Sequence, residues 1–232
     1  MHAPDEDAPV MPTRFRRIES RVEIGPLLAE IDAHPEIWEV DARRQREVAV
    51  QRETETVPIL LHPEPQSFRE ARRQHPLAYR GRPTEIATHL PRTRAFVDDL
   101  TRRLHGRVGR AALVRLRPQG RVYEHVDRGL YYHLRDRYHL VLRSPLGSRL
   151  RAESEEVRMA EGELWWFDNR LPHEAFNDAG EPRIHLIVDV LGPGSLCRFL
   201  ARLLSRPGVT AEAFVRRLRK AVLGASPPSD AA

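Results

Sequence analysis

The chain has 232 residues, of which 41% are apolar and 31% charged, with a formal net charge of +5. That length suits one domain with a sizeable core, and no apolar run is long enough to span a bilayer. Lys220 is the only lysine, so the basic charge is arginine spread along the chain, which speaks against a nucleic-acid footprint.

Residues Met1 to Pro12 are acidic and proline-rich with no apolar stretch, so they read as a disordered start and not as a signal peptide. Apolar residues at Ile24, Leu27, Leu28 and Ile31 have helical spacing, and Ile24 to Ile37 reads as a helix, with Trp38 in the core after it. Glu47 to Leu61 alternates and is β-branched, which predicts one or two strands ended by Pro63 and Pro65. Thr93 to Leu104 predicts a helix with Thr93 as its N-cap and Phe96, Val97 and Leu100 on one face.

From Val108 the texture turns to β. Ala112 to Leu116 is a short strand broken by Pro118-Gln119-Gly120. Tyr138 to Leu142, Glu163 to Phe167, His173 to Phe176 and Arg183 to Val190 are further strands, and many short strands with frequent turns predict a sandwich or barrel. After Gly192-Pro193-Gly194, Leu196 to Leu204 and Ala211 to Val222 read as helices, the second with Arg216, Arg217, Arg219 and Lys220 on a solvated face. Ala225 to Ala232 reads as a disordered tail. The single cysteine, Cys197, excludes an internal disulfide and is compatible with a reducing, cytoplasmic setting.

The β-rich half carries a chemical constellation. His125 and Asp127 stand two apart, His173 lies on a separate segment, and Arg183 follows His173 by ten positions. His-x-Asp alone means little in a chain with 11 histidines. Two imidazoles and one carboxylate together form the facial triad that holds non-haem Fe(II) with open coordination positions. A nearby arginine suits a carboxylate through two parallel charge-assisted hydrogen bonds. A dicarboxylate such as 2-oxoglutarate would use both, its keto-acid end at the metal and its far carboxylate at the arginine.

The stretches LRPQGRVYEHVD, DRYHLVL, GELWWFDN, LPHEAFN and EPRIHLIVDV resemble the aspartyl/asparaginyl β-hydroxylase family of Fe(II)- and 2-oxoglutarate-dependent oxygenases. The resemblance covers about a third of the chain. It implies a mainly β fold with flanking helices around a double-stranded β-helix (jelly-roll, cupin-like) core. It implies His125, Asp127 and His173 as metal ligands, Arg183 as the clamp on the distal carboxylate of 2-oxoglutarate, and Arg137 with His139 as a basic pair that helps hold the co-substrate. The cofactor set it implies is Fe(II), 2-oxoglutarate and O2, with succinate formed as a C–H bond is hydroxylated. The animal founding member lacks the carboxylate ligand; Asp127 makes this chain similar to bacterial members, which act on substrates as different as free proline and lipid acyl chains. Related halogenases also lack that carboxylate, so Asp127 favours hydroxylation. The division then expected is a disordered 1–12, an oxygenase domain with N-terminal helices at 13–193, C-terminal helices at 194–224 and a tail at 225–232.

Other residues carry two readings each. His185 shares a strand face with Arg183 and either lines the site or is a satisfied inward polar group. Trp165, Trp166 and Phe167 are consecutive and cannot all face inward; one face is core and the other either core or part of a pocket wall, with core packing the favoured role for each ring. Asn177 either supports a ligand or caps a turn. Tyr123, Tyr131 and Tyr132 flank the ligand loop, and His133 is expected to face solvent. The leading functional reading is hydroxylation of an amino acid or related small metabolite. The same chemistry on an Asp, Asn or other residue of a peptide or protein is the alternative. A non-catalytic cupin-like metal module is a third reading, against which Arg183, Arg137 and His139 speak. No nucleic-acid or membrane partner is expected, and the sequence leaves the oligomeric state open.

Overall fold

In a computed structural model of the chain, residues 14–39, 49–61 and 79–204 are described. The expectations for residues 1–12, for Glu47, Pro63 and Pro65, for the helix at 211–222 and for the tail at 225–232 lie outside them.

Among the described residues eleven strands form two antiparallel sheets. In chain order they are β1 (Phe15–Glu19), β2 (Thr54–Leu61), β3 (Arg82–Pro83), β4 (Arg107–Leu116), β5 (Arg121–His125), β6 (Asp136–Arg143), β7 (Ser148–Ala152), β8 (Glu155–Val157), β9 (Leu164–Phe167), β10 (His173–Asn177) and β11 (Arg183–Leu191). The larger sheet has the order β1-β9-β6-β11-β4-β2-β3 and the smaller one β5-β10-β7-β8. From β4 onward the chain passes back and forth between the sheets, which is the winding of a double-stranded β-helix. Each expected strand has a counterpart. β4, β6, β10 and β11 run a residue or more beyond the expected bounds, and β9 starts one residue later, at Leu164. Within Glu47 to Leu61 the described strand runs from Thr54 onward, with a 3-10 turn at Ala49–Gln51 before it. The pattern did not reveal β1, β3, β5, β7 or β8, which are short and polar: β5 reads RVYEH and β7 reads SRLRA. β5 and β7 are bonded to β10, which comes later in the chain, while β8 closes a short hairpin on β7.

Strand β11 shows how the sequence sorts the layers. Ile184, Leu186, Val188 and Val190 point one way, into a core shared with helix α1 (Gly25–Ala33) and helix α2 (Pro91–Arg103). Arg183, His185 and Asp189 alternate with them and face the space between the sheets. That inner space has its own apolar lining of Phe15, Val141, Leu150, Phe167 and Ala175. Helix α1 stops at Ala33 because Pro35 disfavours helical backbone at the residue before it. Trp38 is buried in the short 3-10 turn that follows, under the Arg115 guanidinium at 4.3 Å.

Thr93 is not the N-cap of α2. Pro91 takes the first helical position, Leu90 precedes it without a side-chain cap, and Thr93 is buried in the first turn. Glu30 of α1 supplies the cap: its carboxylate accepts from the Arg92 N–H, from the Thr93 N–H at 2.9 Å and from the Thr93 hydroxyl at 3.1 Å. A carboxylate on those free N–H groups stabilises a helix by about 1 kcal/mol. A cap provided from another helix has no local sequence signature.

Two further elements frame the site. Gly129 has a φ of +108°, a left-handed value suited to glycine, and turns the chain from Asp127 into the short helix α3 (Leu130–His133). Helix α4 (Pro193–Leu204) packs Phe199 against Leu134 and Leu191. It is tied down by ion pairs of Arg198 with Asp136 and of Arg202 with Asp168. No described helix is long and apolar enough to cross a membrane.

Candidate metal centre and cavity

His125 ends β5 and His173 begins β10, and the two strands pair with these residues in register. Their rings lie 4.3 Å apart by centroid. Asp127 follows β5 by two residues and turns back beside them, with Oδ1 at 3.9 Å from His125 Nε2. One ligand atom from each of the three residues lies within 4.8 Å of the others. Forty-eight positions separate His125 from His173 in the chain (173 − 125); antiparallel pairing removes that distance.

Each of the three is already oriented. The Nδ1 atoms of His125 and His173 each lie 2.8 Å from a backbone carbonyl, Tyr123 and Leu171 respectively, so Nδ1 carries the proton and Nε2 is left as the lone pair. Asp127 Oδ2 accepts from Asn169 Nδ2 at 2.8 Å and from an Arg137 nitrogen at 2.5 Å, leaving Oδ1 toward the histidines. Asn169 also receives the Asp127 N–H at its carbonyl. Burial pushes the His173 imidazole down to about 4, with the neighbouring His125 acting the same way, so it is neutral near pH 7 and ready to ligate. For Asp127 burial acts upward, but Arg137, His173 and Asn169 outweigh it and hold the carboxyl below its ordinary value. Two neutral imidazole nitrogens and one ionised oxygen, each fixed from behind, fit a divalent metal with open coordination positions.

The triad opens into a cavity of about 730 Å³, counting its mouth, lined among others by Val114, Val122, Phe167, Ile187 and Arg183. Arg183 begins β11, is 6% exposed, and reaches the cavity wall. Burial alone draws its guanidinium down to about 10, so it stays charged, and no carboxylate among the described residues pairs with it. A desolvated cation without an anion is a built receptor for one.

Arg137 and His139, on β6, also line the cavity. Arg137 arrives with its donors engaged: besides Asp127 it holds Asp189, through Nε at 2.8 Å and another nitrogen at 3.1 Å. His139 turns its Nδ1 to His185 at 3.1 Å, and its ring meets Phe167 edge-on. Burial first, then Arg183, pushes both His139 and His185 well below the ordinary histidine value.

The residues with two readings resolve individually. His185 is buried and bonded to Arg183 and His139. Trp166 is core, with its indole N–H on Asp136; Trp165 donates to Glu163; Phe167 is the ring at the cavity wall. Asn177 closes a turn through the Glu181 and Arg117 carbonyls and touches no ligand. Tyr123 gives its hydroxyl to Glu53, and Tyr131 to Asp189. His133 is half-buried. The sequence pattern had not singled out Asn169 or Asp189. The only cue to Asp189 is an acid inside an otherwise apolar strand, IHLIVDV.

The model of the family described as aspartyl/asparaginyl β-hydroxylase matches residues 44–193. Among solved structures, a prolyl hydroxylase from Trichoplax adhaerens, in complex with a hypoxia inducible factor peptide fragment, is similar in fold. Its identity is 15% over 83% of this chain and 87% of that one, with a TM-score of 0.50. A viral collagen prolyl hydroxylase from Paramecium Bursaria Chlorella virus-1, described as a 2-oxoglutarate complex, has 11% identity, covers 78% and 96%, and scores 0.44. A 2OG-Fe(II) oxygenase family protein from Burkholderia pseudomallei has 15% identity, covers 74% and 92%, and scores 0.40.

Proposed function

The chain belongs to the aspartyl/asparaginyl β-hydroxylase family and is a 2-oxoglutarate-dependent hydroxylase; from that premise we propose that its substrate is a free amino acid or related small metabolite, bound in the cavity beside His125, Asp127 and His173. The observation that carries the site assignment is the pairing of two features. Three ligand atoms converge with their other polar atoms already satisfied, and a buried arginine in the same cavity has no carboxylate partner.

In this reading His125, Asp127 and His173 hold Fe(II), and Arg183 takes the distal carboxylate of 2-oxoglutarate. When bound, iron, 2-oxoglutarate and O2 supply the oxidation of a C–H bond to an alcohol, with succinate and CO2 released. The chain's own contribution is placement. Asn169 and Arg137 keep Asp127 Oδ1 aimed at the metal. Phe167, Val122, Val114 and Ile187 keep the cavity wall dry, which strengthens the grip of Arg183 on an anion. The unit proposed to carry this chemistry is 13–193, with helix α4 following it.

The cavity rim supports the small substrate over the peptide. An extended peptide would seek the open edge of β5, the outer strand of the smaller sheet beside the histidines. That edge is occupied: Glu53 accepts the Arg121 N–H at 2.8 Å and the Tyr123 hydroxyl at 2.7 Å, and the turn at Ala49–Gln51 packs against the strand. The test is anaerobic loading with Fe(II) and 2-oxoglutarate, then a screen in air of free amino acids and short peptides for succinate above the uncoupled rate. Stimulation by free amino acids is the expected result. Stimulation by peptides alone would overturn the substrate class, and failure to bind metal would overturn the site.

A further inference from the structure

An arginine on a buried strand face has to be aimed, because its long side chain has many rotamers and its charge draws any nearby carboxylate. The aiming group here is an imidazole. A terminal nitrogen of Arg183 lies 3.1 Å from His185 Nδ1. Arginine has donors only, so that Nδ1 is the acceptor and the His185 proton sits on Nε2, a tautomer assigned from the network. The same Nδ1 lies 3.1 Å from His139 Nδ1. Since the one lone pair of His185 Nδ1 is the acceptor, His139 Nδ1 carries the proton and shares that lone pair with the Arg183 donor. His139 Nε2 is then a lone pair, and neither histidine's Nε2 has a hydrogen-bond partner among the described residues. His185 itself is 1% exposed and stands behind the wall that Arg183 and His139 present to the cavity.

We infer that His185 is a positioning residue: it aims the Arg183 guanidinium and sets the tautomer of His139 without cancelling the arginine's charge. The inference rests on the reading of Arg183 as the 2-oxoglutarate clamp. A carboxylate at position 185 would bind Arg183 more strongly but would neutralise it and compete with the incoming anion. A neutral acceptor fixes the direction and leaves the full charge for the co-substrate. His139, holding its proton toward His185, keeps its buried Nε2 as an acceptor, suited to a hydroxyl, an N–H or a water and not to a carboxylate.

The test compares His185→Asn, His185→Asp and His185→Phe with Arg183→Ala, using the Mn(II)-loaded protein and 2-oxoglutarate in calorimetric titrations. Mn(II) affinity without co-substrate and thermal midpoints are measured alongside. Asn offers an amide oxygen near the place of Nδ1 and is expected within about 3-fold of wild type. Phe, which removes the acceptor of a charge-assisted bond, is expected to weaken 2-oxoglutarate by about 10-fold or more. Asp is expected to weaken it further than Asn, and Mn(II) affinity is expected to be unchanged in all. The Asn and Asp variants differ by one atom, so their comparison stands even if Phe does not fold. Equal affinity for Asn and Asp, or a loss as large in Asn as in Phe, overturns the inference. Wild-type affinity in Phe with a loss in Arg183→Ala overturns it while the clamp stands. Wild-type affinity in Arg183→Ala removes the clamp itself.

Discussion

Replacing Arg137 by Met separates the two roles open to that residue. The family resemblance implies a co-substrate contact, whereas the guanidinium bridges Asp127 and Asp189. The residues are 8% exposed at Asp127 and 3% at Asp189, and the arginine side chain is 12% exposed. Arg137→Met therefore strands two buried carboxylates. Removing one partner of a buried ion pair costs about 3–5 kcal/mol. In a chain of this size that lowers the thermal midpoint of the apo-protein by roughly 6–20 °C. A divalent metal restores part of the loss, because it replaces the missing positive charge at Asp127. Adding Asp189→Asn recovers part of the remainder, since the second stranded charge is gone, and the double-mutant cycle measures that coupling. The assay is thermal and urea unfolding with and without Mn(II), beside 2-oxoglutarate titration. A variant as stable as wild type within about 1 kcal/mol, with only 2-oxoglutarate affinity lost, would show that Arg137 serves the co-substrate and refute the reasoning.

Arg183→Ala should weaken 2-oxoglutarate by at least ~30-fold while metal affinity holds, with Arg183→Lys between, as it keeps the charge but loses the fork; the half-saturation constant for uncoupled succinate formation reads this. Asn169→Ala removes the neutral donor on Asp127 and should weaken metal binding about 10- to 100-fold in a Co(II) titration, an unchanged affinity placing Asn169 outside the site's support. The apo-protein should lose stability in acid. His173 is neutral in the fold down to about 4 but takes its proton near 6.5 when unfolded, so stability is complete above 6.5 and falls as pH drops from there to 4. That interval corresponds to about 3 kcal/mol for His173, and His139 and His185 act in the same direction. Urea midpoints of the apo-protein at about pH 7.5 and about pH 5 check it, and equal midpoints would contradict the burial of neutral imidazoles.

The amino-acid sequence determined the strands with an apolar period and the residue types of the candidate site. β4, β6, β9, β10 and β11 are visible as β-branched or alternating runs, because each has at least one face in a core. His125, Asp127, His173 and Arg183 are visible because two imidazoles, a carboxylate and an arginine in that order are uncommon together. Tertiary structure alone decided the polar strands and every supporting contact. β5 and β7 become strands because β10 lies between them and bonds to both. Glu30 caps α2 from another helix. Asn169 and Arg137 converge on Asp127 from different parts of the chain, and Arg137 is claimed by Asp189 through the pairing of β6 with β11. Periodicity and residue type are local properties that a sequence displays directly. Which polar atom meets which depends on how strands distant in the chain are set side by side, and only the packed fold fixes that register.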